Sequence, residues 1–112
     1  MEIRIEPSSG ENDFKLKQFI IELCKDNEFG TWRYKDFSFG EEALYKELFI
    51  DGRQTTIAFI LDAGIDYLLF VPAKMKGDGI IPLEELSSCI CDFISILIKK
   101  CPLTISSILI LL

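Results

Sequence analysis

The stretch whose reading decides the fold is Leu48-Phe-Ile-Asp-Gly-Arg-Gln-Thr-Thr-Ile-Ala-Phe-Ile-Leu61. Asp51-Gly52 separates two apolar runs, and an Asp-Gly pair suits the two positive-φ positions of a tight hairpin turn. Thr and Ile crowd the following segment, Gln54–Leu61, where β-branched side chains fit a pleated, half-buried surface. A second turn, Asp62-Ala-Gly-Ile-Asp66, leads to another strand, Tyr67–Val71. Pro72 has no N–H to donate and is expected to halt that strand. Three strands joined by short turns predict an antiparallel meander. Just upstream the reading divides. Glu41–Glu47 has helical propensity, whereas Leu48-Phe49-Ile50 before Asp51-Gly52 favours a strand.

Working outward toward the N-terminus, residues 31–35 alternate. Trp32 and Tyr34 share one face and Thr31, Arg33 and Lys35 the other, as in a half-buried strand. Phe37-Ser-Phe39-Gly40 reads as a turn or short extension. Leu16, Phe19, Ile20, Leu23 and Cys24 follow helical spacing, so a helix is predicted from Asn12 or Asp13 to about Asn27, with Gly30 ending it. Residues 2–6 alternate as a short strand before Pro7. Toward the C-terminus, Lys76-Gly-Asp-Gly79 lies in a loop. A helix over 82–100 follows, with Pro82 in its first turn and Leu83, Leu86, Ile90, Phe93, Ile94 and Leu97 as one apolar stripe. Leu103–Leu112 is apolar on both faces and reads as a strand buried between two neighbours. The expected class is α+β: a mainly antiparallel sheet of about four to six strands with two amphipathic helices packed against it. The expected order is β-α-β-β-β-β-α-β.

The 112 residues suit one domain, 1–112, and a 49% hydrophobic content supplies a core. The net charge of −6 repels phosphate backbones and anionic lipid, so neither a nucleic acid nor a membrane is an expected partner. Residues 1–51 carry 12 acidic and 7 basic side chains, against 6 and 5 in the remainder, so the negative field belongs mainly to the first half. No basic segment followed by an apolar run is visible at the N-terminus. The charge-free run Cys101–Leu112, of 12 residues, is shorter than the roughly 20 a bilayer needs. The expected location is cytoplasmic, with the four cysteines as reduced thiols.

The chain has no histidine, which removes the usual general base and the commonest metal ligand. Cys89 and Cys91 lie two apart on a helix and diverge by about 200°, so they read as core cysteines and not as zinc ligands. Lys76-Gly77-Asp78-Gly79 lacks the rest of a phosphate loop and reads as a turn. Asp62 and Asp66 read as turn formers. No enzyme activity, cofactor or metal is expected. Trp32-Arg33-Tyr34-Lys35 mixes aromatic and basic residues, but on a strand these face opposite ways; core packing is the favoured reading, with an interface anchor as the lesser one. Asp36, Glu41, Glu42, Glu47 and Asp51 fall within 16 positions. They form either a solvated face or a docking patch for a basic protein.

In size, acidity, cytosolic character and lack of catalytic equipment, the chain resembles the small acidic immunity proteins of bacterial toxin systems. These include partners of contact-dependent growth inhibition toxins and of nuclease bacteriocins. The resemblance is one of whole-chain profile and carries no motif. It implies an antidote that covers the active site of a basic cognate toxin, often a nuclease. On that reading, Trp32 and the acidic residues between 36 and 51 would mimic or displace the toxin's anionic substrate. A second resemblance is to the small acidic homodimeric chaperones of type III secretion, which bind an effector segment. Helix 82–100 would then supply the dimer face, although those chaperones usually open on a long helix and this chain on a strand.

Overall fold

The computed structural model describes residues 2–36, 41–64, 66–73 and 82–111. Its elements are β1 (Glu2–Pro7), α1 (Asp13–Lys25), β2 (Arg33–Asp36), β3 (Glu42–Ile50), β4 (Arg53–Asp62), β5 (Leu68–Ala73), α2 (Leu83–Lys100) and β6 (Ile105–Leu111). The fold is α+β, in the order expected. The six strands form one antiparallel sheet in the order β2-β3-β4-β5-β1-β6. Phe37–Gly40 and the Lys76–Gly79 turn lie outside the described residues.

Alternation along the strands decides which side chains enter the core. Register places Ile3 and Ile5 beside Phe70 and Leu68, Leu61 beside Phe70, and Phe59 beside Leu44, all on one face. Both helices pack on that face. Leu16, Ile20, Ile21, Leu23 and Cys24 of α1 and Cys89, Phe93 and Leu97 of α2 complete the buried cluster. Phe93 is its hub, with ring centroids 5.5 Å from Phe29, 5.1 Å from Trp32, 5.5 Å from Phe59 and 4.9 Å from Phe70. Among the described residues no helix covers the opposite face, where Ile60, Leu69 and Val71 are half-buried.

The structure settles the divided segment: residues 42–50 are strand, because pairing with β4 along its whole length outweighs a weak helical propensity. Asn12 caps α1 as expected, its side chain accepting from the Lys15 N–H at 2.8 Å. The helix ends earlier than Gly30. Asn27 takes the left-handed conformation (φ 58), and the N–H groups of Asn27 and Glu28 return to Cys24 and Leu23. Phe19, expected inside, is exposed, and Ile21 takes its place in the core. Pro82 immediately precedes α2, one position before the first turn. Leu83, at the head of the expected stripe, is exposed. Strand β5 continues through Pro72, opposite Phe59 on β4. Pairing with β1 stops at Phe70, so the missing N–H removes no ladder bond on that side.

The largest departure concerns the C-terminal strand. Among the described residues β6 pairs with β1 alone and forms an edge of the sheet; the strand held between neighbours is β1. Two features make that edge tolerable. Ile105 and Ile108 pack against the core on the helical side. A bulge falls at Ser106, where register steps from Glu6 opposite Ser107 to Pro7 opposite Ile105. The Ser106 hydroxyl lies 3.1 Å from the carbonyl oxygen of Glu6 and 3.2 Å from that of Pro7.

Candidate functional site

Strands β3 and β4 pair from Glu42 opposite Leu61 to Ile50 opposite Arg53. Their neighbours are shorter. β2 covers β3 only from Glu42 to Tyr45, and β5 covers β4 only from Ala58 to Asp62. Among the described residues, 46–50 and 53–57 pair with each other alone, over about 17 Å at about 3.4 Å per residue. The tip of this hairpin is Asp51-Gly52, at φ 51 and 76, as a tight hairpin turn requires. One face is anchored: Leu48 packs on the core, Thr55 and Ile57 are buried, and Lys46 pairs with Asp92 of α2 at 3.4 Å. The other face presents Glu47, Phe49 and Gln54, all exposed. Phe49 is 78% exposed, between two carboxylates at i−2 and i+2.

The six residues proposed from sequence are therefore divided. Glu47 and Asp51 lie at this hairpin end. Asp36 and Glu41 are exposed at the opposite end of β3, roughly 30 Å from the tip at strand spacing. There Leu61, opposite Glu42, brings the exposed Asp62 alongside. Glu42 belongs to that end but turns inward. Its carboxylate accepts the Tyr34 hydroxyl at 2.6 Å and meets Lys17 Nζ of α1 at 2.5 Å. Burial raises the pKa of Glu42, but the bonds from Lys17 and Tyr34 outweigh it and hold the carboxyl below its ordinary value. Burial, followed by the Glu42 hydrogen bond, raises that of Tyr34. Glu42 thus ties α1 to the sheet and is not free surface charge.

Trp32 is fully buried against Phe59 and Phe93, and its indole N–H donates to Asp92 Oδ2 at 3.3 Å. It fills the core and lies on no contact surface. Cys24, Cys89 and Cys101 are buried, while Cys91 is exposed on the other side of α2 from Cys89. Burial pushes the Cys24 thiol up to about 12 and raises those of Cys89 and Cys101. Among the described residues no three metal-ligating side chains gather. No described helix is long and apolar enough to cross a membrane.

Three features escape a reading of the sequence alone. Phe49 looks like ordinary strand, although its i−2 spacing already places it on one face with Glu47, next to the turn that carries Asp51. Asp62 looks like a turn former and nothing more. The buried Asp13 carboxylate accepts the Gly64 N–H, pinning a distant turn to the head of α1, and no local pattern announces that contact. No family model, no curated protein and no solved structure matches the chain.

Proposed function

We propose that the chain is a non-catalytic, protein-binding domain that neutralises a basic cognate toxin, a nuclease above all, by covering its active site in the cytoplasm. The observation that carries this reading is the open face of the β3–β4 hairpin beside its Asp51-Gly52 turn, where exposed Phe49 lies between Glu47 and Asp51 in the chain. A nuclease cleft is cationic because it must hold phosphate. A hairpin end that offers carboxylates beside an aromatic ring matches such a cleft in charge and supplies an apolar anchor. Asp36, Glu41 and Asp62 at the far end of β3 add to the negative field that steers a basic partner into contact.

The test uses the basic protein encoded beside this chain, or the one that co-purifies with it at low salt. A 1:1 complex that suppresses the partner's nuclease activity is expected. Reversing Glu47 and Asp51 to Lys together should slow association at least tenfold and flatten its salt dependence. Phe49→Ala should mainly speed dissociation. Glu42 is left intact, because its loss would unsettle the packing of α1. Unchanged rates in both variants, or turnover of a substrate by the isolated chain, would overturn the proposal.

A further inference from the structure

The Asp51-Gly52 turn fixes which way the main-chain groups of β3 face. Both turn residues have positive φ (51 and 76), so Ile50 and Arg53 close the turn as a hydrogen-bonded pair, and such pairs recur at every second residue. Leu48 and Lys46 therefore bond to Thr55 and Ile57 of β4, while the N–H and C=O groups of Glu47 and Phe49 point to the other side. On that side β2 begins only at Arg33, opposite Tyr45. Upstream of Arg33 the chain leaves the line of the strand. The Trp32 N–H returns to the Phe29 carbonyl, Gly30 takes φ 58, and the Phe29 and Trp32 side chains enter the core. Among the described residues nothing pairs with the outer edge of β3 from Lys46 to Ile50. The result is a step about 17 Å long, closed at one end by the 29–32 turn and open at the hairpin tip.

We infer that this step receives an extended, basic segment of the partner protein as an added strand, antiparallel to β3 and in line with β2. The inference rests on the protein-binding reading above and specifies how the contact is made. In strand addition the edge main chain supplies affinity and the side chains supply selection. Here one pair of residues does both. Glu47 and Phe49 turn their N–H and C=O groups into the step, and both side chains are exposed on the open face. An antiparallel guest sets one residue opposite Phe49 and, two positions further on, another opposite Glu47. An apolar side chain suits the first place. Arg or Lys suits the second, because opposite charges facing each other across a ladder attract. Neighbouring cations do not cancel that preference. Lys46 lies on the helical face, paired with Asp92 at 3.4 Å. Arg33, at the closed end, donates to the carbonyl oxygens of Gly30 and Trp32, each at 3.0 Å. Asp51 adds negative charge at the open end. A second copy of the chain would bring a further −6 against this edge, so a cationic segment is the better guest. The segment it selects reads apolar-x-Arg/Lys.

The probe is the peptide acetyl-Thr-Phe-Val-Arg-Thr-Lys-amide, titrated to about 2 mM into the whole isotope-labelled chain and followed by amide shifts and hydrogen exchange. In the free chain the amides of Glu47 and Phe49 should exchange at least tenfold faster than those of Lys46 and Leu48, which β4 protects. The peptide should produce saturable shifts centred on 46–50 and slow exchange at Glu47 and Phe49 several-fold. N-methylation of the peptide at Phe or Arg removes a donor aimed at β3 and should abolish binding. N-methylation at Val, whose N–H points away from β3, should leave affinity within about twofold. Glu47→Lys in the chain, or Arg→Glu in the peptide, should weaken binding at least fivefold. No saturable shift at 2 mM would overturn the inference. So would slow exchange at Glu47 and Phe49 in the free chain, or binding that survives methylation at Phe and Arg. The toxin-neutralising reading stands or falls separately. A complex that suppresses a nuclease yet leaves the amides of Glu47 and Phe49 unprotected supports that reading and overturns the strand-addition inference. A basic partner without toxic activity whose complex protects both amides does the reverse.

Discussion

Replacing Phe93 with Ala removes the ring on which the core converges. Phe93 is fully buried and touches Phe29, Trp32, Phe59 and Phe70 at centroid distances of 4.9–5.5 Å. Phe→Ala in a core costs about 3–5 kcal/mol, as lost transfer free energy plus the cavity left behind. Tilted and edge-on ring pairs contribute about 0.5–1.5 kcal/mol each beyond buried area, which places this site at the upper end, about 5 kcal/mol. A chain of this length has a total stability of roughly 6–17 kcal/mol, so the variant should still fold but with little margin. Equilibrium urea unfolding is the assay. With a slope of about 1.5 kcal/mol/M, the midpoint should fall by about 3 M. Phe93→Leu, which retains most of the volume, should lose no more than about 1.5 kcal/mol. A loss below about 1.5 kcal/mol for Phe93→Ala would mean that this face of α2 does not pack on the sheet, and the layer arrangement would fall with it.

Acid should weaken the fold partly through Glu42. Its folded pKa lies below the unfolded value, so its stabilising contribution is complete above the unfolded carboxylate pKa of about 4.3 and is lost as pH falls through the folded value. In urea titrations, Glu42→Gln should be less stable than wild type at pH 7, and the gap should narrow as pH falls below the unfolded carboxylate pKa of about 4.3. A gap independent of pH would refute the ionic role assigned to the Lys17–Glu42 pair. Thiol labelling of the native chain should show one fast cysteine, Cys91, and three that react only on unfolding. Four equal rates would contradict the buried placement of Cys24, Cys89 and Cys101.

Most of the fold was legible because it rests on local rules. Asp51-Gly52 dictates a hairpin whatever surrounds it, and the β-branched run after it has one good conformation. The stripes on α1 and α2 follow the helical period, and Asn12 announces its helix by its own side chain. The lack of histidine and the acidity are matters of composition, and composition by itself narrows the chemistry open to the chain. Side-chain spacing within one strand also suffices to align Phe49 with Glu47.

What spacing could not show is which strand stops first. Among the described residues β2 and β5 are shorter than the hairpin they flank, and that is a property of register between segments far apart in the chain. The same holds for Glu42, which is indistinguishable from Glu41 in sequence yet is drawn inward by Lys17 and Tyr34. Strand order is likewise non-local. Nothing within Ile105–Leu111 says that β1 takes the inner place and leaves an uncharged strand at the edge. Local conformation is set by neighbours a few residues away, and these the sequence determined. Exposure, pairing and the placement of charge depend on contacts between distant segments, and only the tertiary structure decided them.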